Sequence, residues 1–179
     1  SDKRIGYQAY IDMDNWVDYF IINEFAMNYD AGNLSTYLYK ELGGKLQLAV
    51  WDFNNGFDNY QWFRTETDVL HTVENSWFKR LWQDETFREH VCERYRQLRK
   101  TTLADEHIAE KIASYQEELG DAVDRNFKVW GYSFDEALLA GTSKDGTSRD
   151  IRSYEEAMKQ LTDTIRERRA YLDKELGGN

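Results

Sequence analysis

With 179 residues, 31% of them charged and 41% hydrophobic, the chain is long enough to bury a substantial core and too apolar for disorder to be the default. A net charge of −10 argues against a general nucleic-acid or anionic-membrane surface, because phosphate contacts require clustered Lys and Arg. The single Cys92 excludes an internal disulfide framework, and the dispersed His71, His90 and His107 make a Cys/His zinc site a poor fit. No apolar run approaches the roughly 20 residues of a membrane-spanning helix. The polar start "SDKRIG", with neither an initiating Met nor a signal peptide, reads as a piece of something longer.

Proline is absent and the glycines fall in a few clusters, so long uninterrupted helices are expected between them. The first helix is expected over 14–28, with Asp14 as N-cap and apolar residues around most of its circumference, which makes it central. A β-hairpin follows over 34–51, then a polar aromatic loop to about residue 70 and a short helix in "NSWFKRLWQ". The segment 84–176 reads as helical. Asp84 caps a helix with the stripe Phe87, Val91, Tyr95 and Leu98, and Cys92 in "REHVCERY" is a packed thiol. Asp105 opens a longer helix carrying Ile108, Ile112, Tyr115, Leu119, Val123 and Trp130. The last helix has a capping box, Ser153 with Glu156, then Met158, Leu161, Ile165, Tyr171 and Leu172 before a glycine C-cap at Gly177. Between these two helices, "GTSKDGTSRD" at 141–150 has the composition of a flexible loop. The fold class is therefore α+β and mostly helical, a single domain over 1–179 with one central hairpin packed on helices.

The hairpin also carries the candidate chemistry. If "STYLYK" turns through "ELGG" into "KLQLAVW", Lys40 pairs with Lys45, Tyr39 with Leu46, Tyr37 with Leu48, Ser35 with Val50 and Asn33 with Asp52. Asn33 and Asp52 then meet at the open end, and Asp30 lies one turn of chain earlier; a slip of one residue would part them. Carboxylate and amide oxygens gathered at one point suit a hard cation such as Mg²⁺, although Asp and Asn are also ordinary residues of loops and caps.

The same residues carry a family likeness. The run "YIDMDNWVDYFIINEFAMNYDAGNLSTYLYKELGGKLQLAVWDFNNGFDNY", with "WFKRLWQDETFREHVCERYRQLRKTTL" and "RNFKVWGYSFDEAL", resembles the spore coat protein H (CotH) kinase family, in its carboxyl-terminal half. The resemblance implies the carboxyl-terminal lobe of an atypical, secreted-type protein kinase, located outside the cytoplasm. It implies transfer of the γ-phosphoryl of ATP to Ser or Thr of a protein acceptor, with Mg²⁺. Carried onto this chain, Asp30 corresponds to the catalytic Asp, Asp52 to the metal-binding Asp, and Asn33 to a second metal or water ligand, in the general kinase order. Two departures stand out. Kinases place the ligand Asn five residues after the catalytic Asp, where this chain has Ser35. Asn54 stands where many relatives have a second acid. Nothing before Asp30 resembles a glycine-rich loop or a phosphate-contacting lysine, and Lys40 and Lys45 read as solvated turn residues. The missing amino-terminal lobe is thus an expected partner, and this piece alone is expected to be inactive.

Two other function classes remain open from the sequence. One is a kinase-like scaffold whose catalysis has decayed. The other is a carbohydrate-handling surface domain, given six Trp and twelve Tyr, with Asp52 and either Asp58 or Asp30 as acid and base. Against the latter, Trp16, Trp77, Trp82 and Trp130 fall on expected helices as core residues, leaving Trp51 and Trp62. The charged runs "RERRAYLDKE" and "REHVCERYRQLRK" read as solvated helix faces, within which Arg96, Arg99 and Lys100 form at most a phosphate patch.

Overall fold

A computed structural model describes residues 4–60, 63–131 and 153–178. Its elements are α1 (Met13–Ala26), β1 (Tyr37–Tyr39), β2 (Gln47–Ala49), α2 (Ser76–Leu81), α3 (Glu85–Leu98), α4 (Asp105–Leu119), α5 (Ala122–Trp130) and α6 (Tyr154–Leu176), with single 3₁₀ turns at Tyr7–Ala9 and Thr72–Glu74. The class is α+β and mostly helical, with one antiparallel hairpin, as the sequence pattern requires. The expected loop at 141–150, and Trp62, lie outside the described residues. No described helix is long and apolar enough to cross a membrane.

Helix α1 is the axis of the core, packing against α3, β2 and α6. Trp16, Val17, Tyr19, Phe20, Ile21, Phe25 and Ala26 are all buried, which spreads burial around the helix rather than along one stripe. Phe20 stacks on Trp82 at 5.1 Å and meets Phe87 edge-on at 5.9 Å, while Tyr19 stacks on Phe78 at 5.8 Å. From α3 come Phe87, Val91 and Tyr95, and from α6 Ile165, Leu172 and Leu176. The N-cap of α1 is Asp12 rather than Asp14: its carboxylate accepts the Asn15 N–H at 3.3 Å, leaving Asp14 in the first turn, where its charge complements the helix dipole. Asp84 and Ser153 cap α3 and α6 as expected. The single long helix expected from Asp105 is instead two, because Gly120 adopts φ 43° and ends α4. Ile108 and Ile112 reach the core, but Tyr115, Leu119 and Trp130 do not. Trp16 is buried and Trp82 half-buried; Trp77 and Trp130 are 49% and 63% exposed, so the helical tryptophans divide between core and surface.

The strand register is one residue away from the expected one. Tyr37 faces Ala49, Leu38 faces Leu48 and Tyr39 faces Gln47. What sets this register is the anchoring of β2 to the start of α1. Leu46 bridges to Ile11, with Asp12 N–H donating to Leu46 O at 2.9 Å and Leu46 N–H to Tyr10 O at 2.8 Å. The Trp16 indole N–H also donates to Leu46 O, and the Asn15 amide holds both the N–H and the carbonyl of Leu48 at 2.7 and 3.1 Å. Leu48, 3% exposed, is thereby locked toward the core, and β1 takes the pairing that remains.

Candidate functional site

Both candidate loops are tied to the last turn of α1, whose carbonyls have no partner within the helix. Met27, at φ 52°, stops the helix, and the Asn28 N–H returns to Asn23 O at 3.0 Å. From the second loop, the Phe57 N–H donates to Ala26 O at 2.6 Å, and the Phe57 ring meets Phe25 edge-on at 5.5 Å. Glycine at position 56 eases that approach, because a Cβ there would crowd Phe53 O at 3.1 Å and Ala26 O at 3.2 Å. One helix end thus holds residues 28–36, which contain Asp30, Asn33 and Ser35, and residues 52–58, which contain Asp52 and Asn54.

Within the first loop, Asp30 is half-buried and its carbonyl accepts the N–H groups of Asn33 and Leu34 at 3.1 and 2.8 Å. The turn carries Ser35 to φ 46° and places its Oγ 3.5 Å from Asp52 Oδ2, the long limit of a hydrogen bond. The expectation that Asn33 faces Asp52 therefore fails. The observed register carries position 34 opposite 52; Asn33 is exposed, and Ser35, turned by its positive φ, is the residue whose side chain meets Asp52. Asp52 is itself left-handed, at φ 56°. Among the described residues, the non-glycine residues with positive φ, Met27, Ser35, Asp52, Phe57 and Asp58, all fall in these loops or at the helix end they share. Backbone held in that region costs on the order of 1 kcal/mol or more per residue, and such residues cluster at functional sites.

The donor set is one acid, Asp52, beside a neutral hydroxyl, Ser35, on loops that also carry Asp30 and Asn33. Among the described residues no three His, Cys, Asp or Glu side chains converge on a point. A cation at Asp52 would complete its shell from neutral oxygens, water and a bound phosphate, which is the habit of magnesium. Aromatic rings flank the site: Tyr29 stacks on Tyr60 at 5.5 Å, and the exposed Trp51 meets Tyr37 at 5.4 Å. Asp58 is buried, with Oδ1 accepting the Thr65 N–H at 2.7 Å, so it braces its own loop instead of opposing Asp52 as a second catalytic acid. Lys40 and Lys45 are exposed, Lys45 donating to Gln8 O at 2.7 Å.

Three residues the sequence reading passed over support this end of α1. Glu24 and Arg168 form an ion pair at 2.6 Å with both side chains fully buried. Glu24 also accepts the N–H groups of His71 and Thr72, at 3.0 and 2.5 Å, while Arg168 donates to the carbonyls of Glu24, Thr67 and Val69. The third is Asn75, whose Nδ2 donates to Ala31 O at 2.7 Å. A carboxylate inside the apolar run "FIINEFAM" is the one signal that pointed to such a pair. The "RERRAYLDKE" run is accordingly not a purely solvated face. The Arg99 guanidinium is likewise spent, on Asp173 at 2.7 Å, Asp105 at 3.0 Å and Leu103 O, which removes it from any phosphate patch with Arg96 and Lys100.

A model of the CotH kinase protein family matches residues 2–172. The chain belongs to the CotH kinase family. No curated protein and no solved structure matches it. Membership makes this a kinase-related protein.

Proposed function

We propose that the chain supplies the catalytic loops of a CotH-type kinase that transfers the γ-phosphoryl of ATP, with Mg²⁺, to Ser or Thr of a protein acceptor. One observation carries the reading: two strained loops, bearing Asp30 and Asp52, are anchored on the same helix end, with Ser35 of one touching Asp52 of the other. Phosphoryl transfer has a loose transition state, so positioning and charge neutralisation provide most of the rate. The bound magnesium would neutralise phosphate charge. Asp52 would hold that ion, with the Ser35 hydroxyl beside it as a neutral oxygen ligand. Asp30 would orient the acceptor hydroxyl and take its proton as the new oxygen–phosphorus bond forms and the bond from the γ-phosphorus to the bridging oxygen breaks, releasing ADP. Asn54 leaves the second loop with one acid fewer than many relatives, so metal affinity should be modest.

The test is incorporation of labelled phosphate by the full-length protein that carries this chain. Asp30→Ala should lower turnover by roughly 10²–10⁴-fold, the usual contribution of a positioned base. Asp52→Ala should lower turnover sharply and raise the Mg²⁺ concentration needed for whatever activity remains. A wild-type protein that binds its acceptor without incorporating phosphate would instead identify a decayed scaffold, and unchanged incorporation in both variants would remove these aspartates from the mechanism.

A further inference from the structure

We infer that Asn75 is a positioning residue for the Asp30 loop, an inference that rests on the phosphotransfer reading and assigns a role to a residue outside the catalytic loops. Asn75 occupies the N-cap of α2, where an Asn side chain ordinarily accepts an N–H of the first turn and steadies the helix. Here it makes no such bond. Its amide instead donates across 44 positions of sequence to Ala31 O at 2.7 Å, one residue after Asp30. Ala31 is 1% exposed, so its carbonyl is cut off from bulk water, and removing the donor would leave a buried acceptor to find another partner. The next residue shows how closely the two segments fit: a Cβ on Gly32, at φ 78°, would lie 3.2 Å from Asn75 Cβ and 3.4 Å from Phe78 Cδ2. Asn75 is in turn well held. Its N–H donates to Thr72 O at 3.0 Å, and the Thr72 and His71 N–H groups are bound by the buried Glu24 carboxylate of α1. Helix α1 therefore grips the Asp30 loop twice, directly through Asn28 and indirectly through Glu24, the 71–72 turn and Asn75. The cap position forgoes its ordinary stabilising bond, and the donor goes to the loop that carries the proposed base.

Two variants separate positioning from simple stability. Asn75→Ser and Asn75→Asp both keep a strong N-cap residue for α2; the Ser hydroxyl is too short to reach Ala31 O, and an ionised Asp has no proton to donate. Melting temperatures should fall by only a few degrees, the loss of one buried hydrogen bond with the helix cap retained. Amide hydrogen exchange of Gly32, Asn33 and Leu34 should speed up by roughly tenfold or more, a factor equivalent to about 1.4 kcal/mol, without acceleration in α1 or α3. In the full-length protein kcat should fall by about 10²-fold, as expected for a displaced catalytic group, with little change in the KM for ATP. Turnover within twofold of wild type in both variants overturns the inference. So does a loss of turnover that merely follows a lower melting temperature with exchange rising everywhere. If the wild-type protein transfers no phosphate, the phosphotransfer reading falls, while loop exchange still decides whether Asn75 orders the Asp30 turn: unchanged exchange there refutes the inference by itself.

Discussion

Two side chains show how much of this site is decided by individual atoms. Glu24 and Arg168 are fully buried charges, and each would be costly alone. Together they are satisfied: the carboxylate takes two backbone N–H groups and the guanidinium, and the guanidinium serves three carbonyls of the 67–69 loop and α1. Removing one partner strands the other, so Arg168→Ala should destabilise the protein by about 3–5 kcal/mol. Chemical denaturation checks this, and Lys at the same position should restore only part of the loss, because a point charge cannot serve several carbonyls in a planar fork. By contrast Arg64–Glu167, with both side chains about half exposed, should contribute less than about 1 kcal/mol. From sequence, Glu24 was visible as an acid among apolar neighbours. Arg168 was hidden among other arginines, since nothing in "RERRAYLDKE" distinguishes the one that turns inward.

Between elements, polar contacts rather than strand propensity decide alignment. The hairpin illustrates it: "STYLYK" and "KLQLAVW" admit more than one register, and Asn15 and the Ile11–Leu46 bridge select one from outside the hairpin. Helices α3 and α6 are joined in the same way. Asp173 accepts from Arg99 at 2.7 Å and from the Tyr95 hydroxyl at 2.8 Å. Burial works against its charge, but the hydrogen bonds from Arg99 and Tyr95 and the charges of Arg99 and Arg169 together hold the carboxyl below the usual range. The Gln47 amide and then the Asn15 N–H hold Asp12 low as well. A carboxyl depressed in the folded state stabilises it above the unfolded pKa, about 3.9, and loses that contribution as pH falls through the folded value. Thermal melts should therefore show stability falling below about pH 4, and Asp173→Asn should flatten that fall. Unaltered acid sensitivity in Asp173→Asn would mean the α3–α6 clasp is not responsible.

At the scale of the molecule, burial is uneven. The core gathers α1, α2, α3 and α6, whereas α4 and α5 contain no fully buried residue and display Tyr115, Leu119, Val129 and Trp130. Local stability follows buried contacts, so native-state hydrogen exchange should find α1 and α3 exchanging last and α5 faster by several orders of magnitude. Equal protection throughout would contradict this division. The site lies at the well-packed end, where strained loops can be held in place by a rigid helix.

Composition, helical periodicity and capping residues by themselves determined the fold class, most helix starts and the order of Asp30, hairpin and Asp52, because these are local properties of the chain. Periodicity also marked which stripes of α3 and α6 turn inward. Only the tertiary structure decided that α4 breaks at Gly120, that Trp77 and Trp130 stay outside, and that Ser35 rather than Asn33 meets Asp52. The break at Gly120 follows from its own left-handed backbone, whereas the register that governs the Asp52 contact depends on residues far apart in sequence, Asn15 with Leu48 and Ile11 with Leu46. A few hydrogen-bonded anchors are enough to shift a short strand by one residue, which takes Asn33 out of line with Asp52, and the turn at Ser35 then brings a hydroxyl rather than an amide to the proposed metal carboxylate.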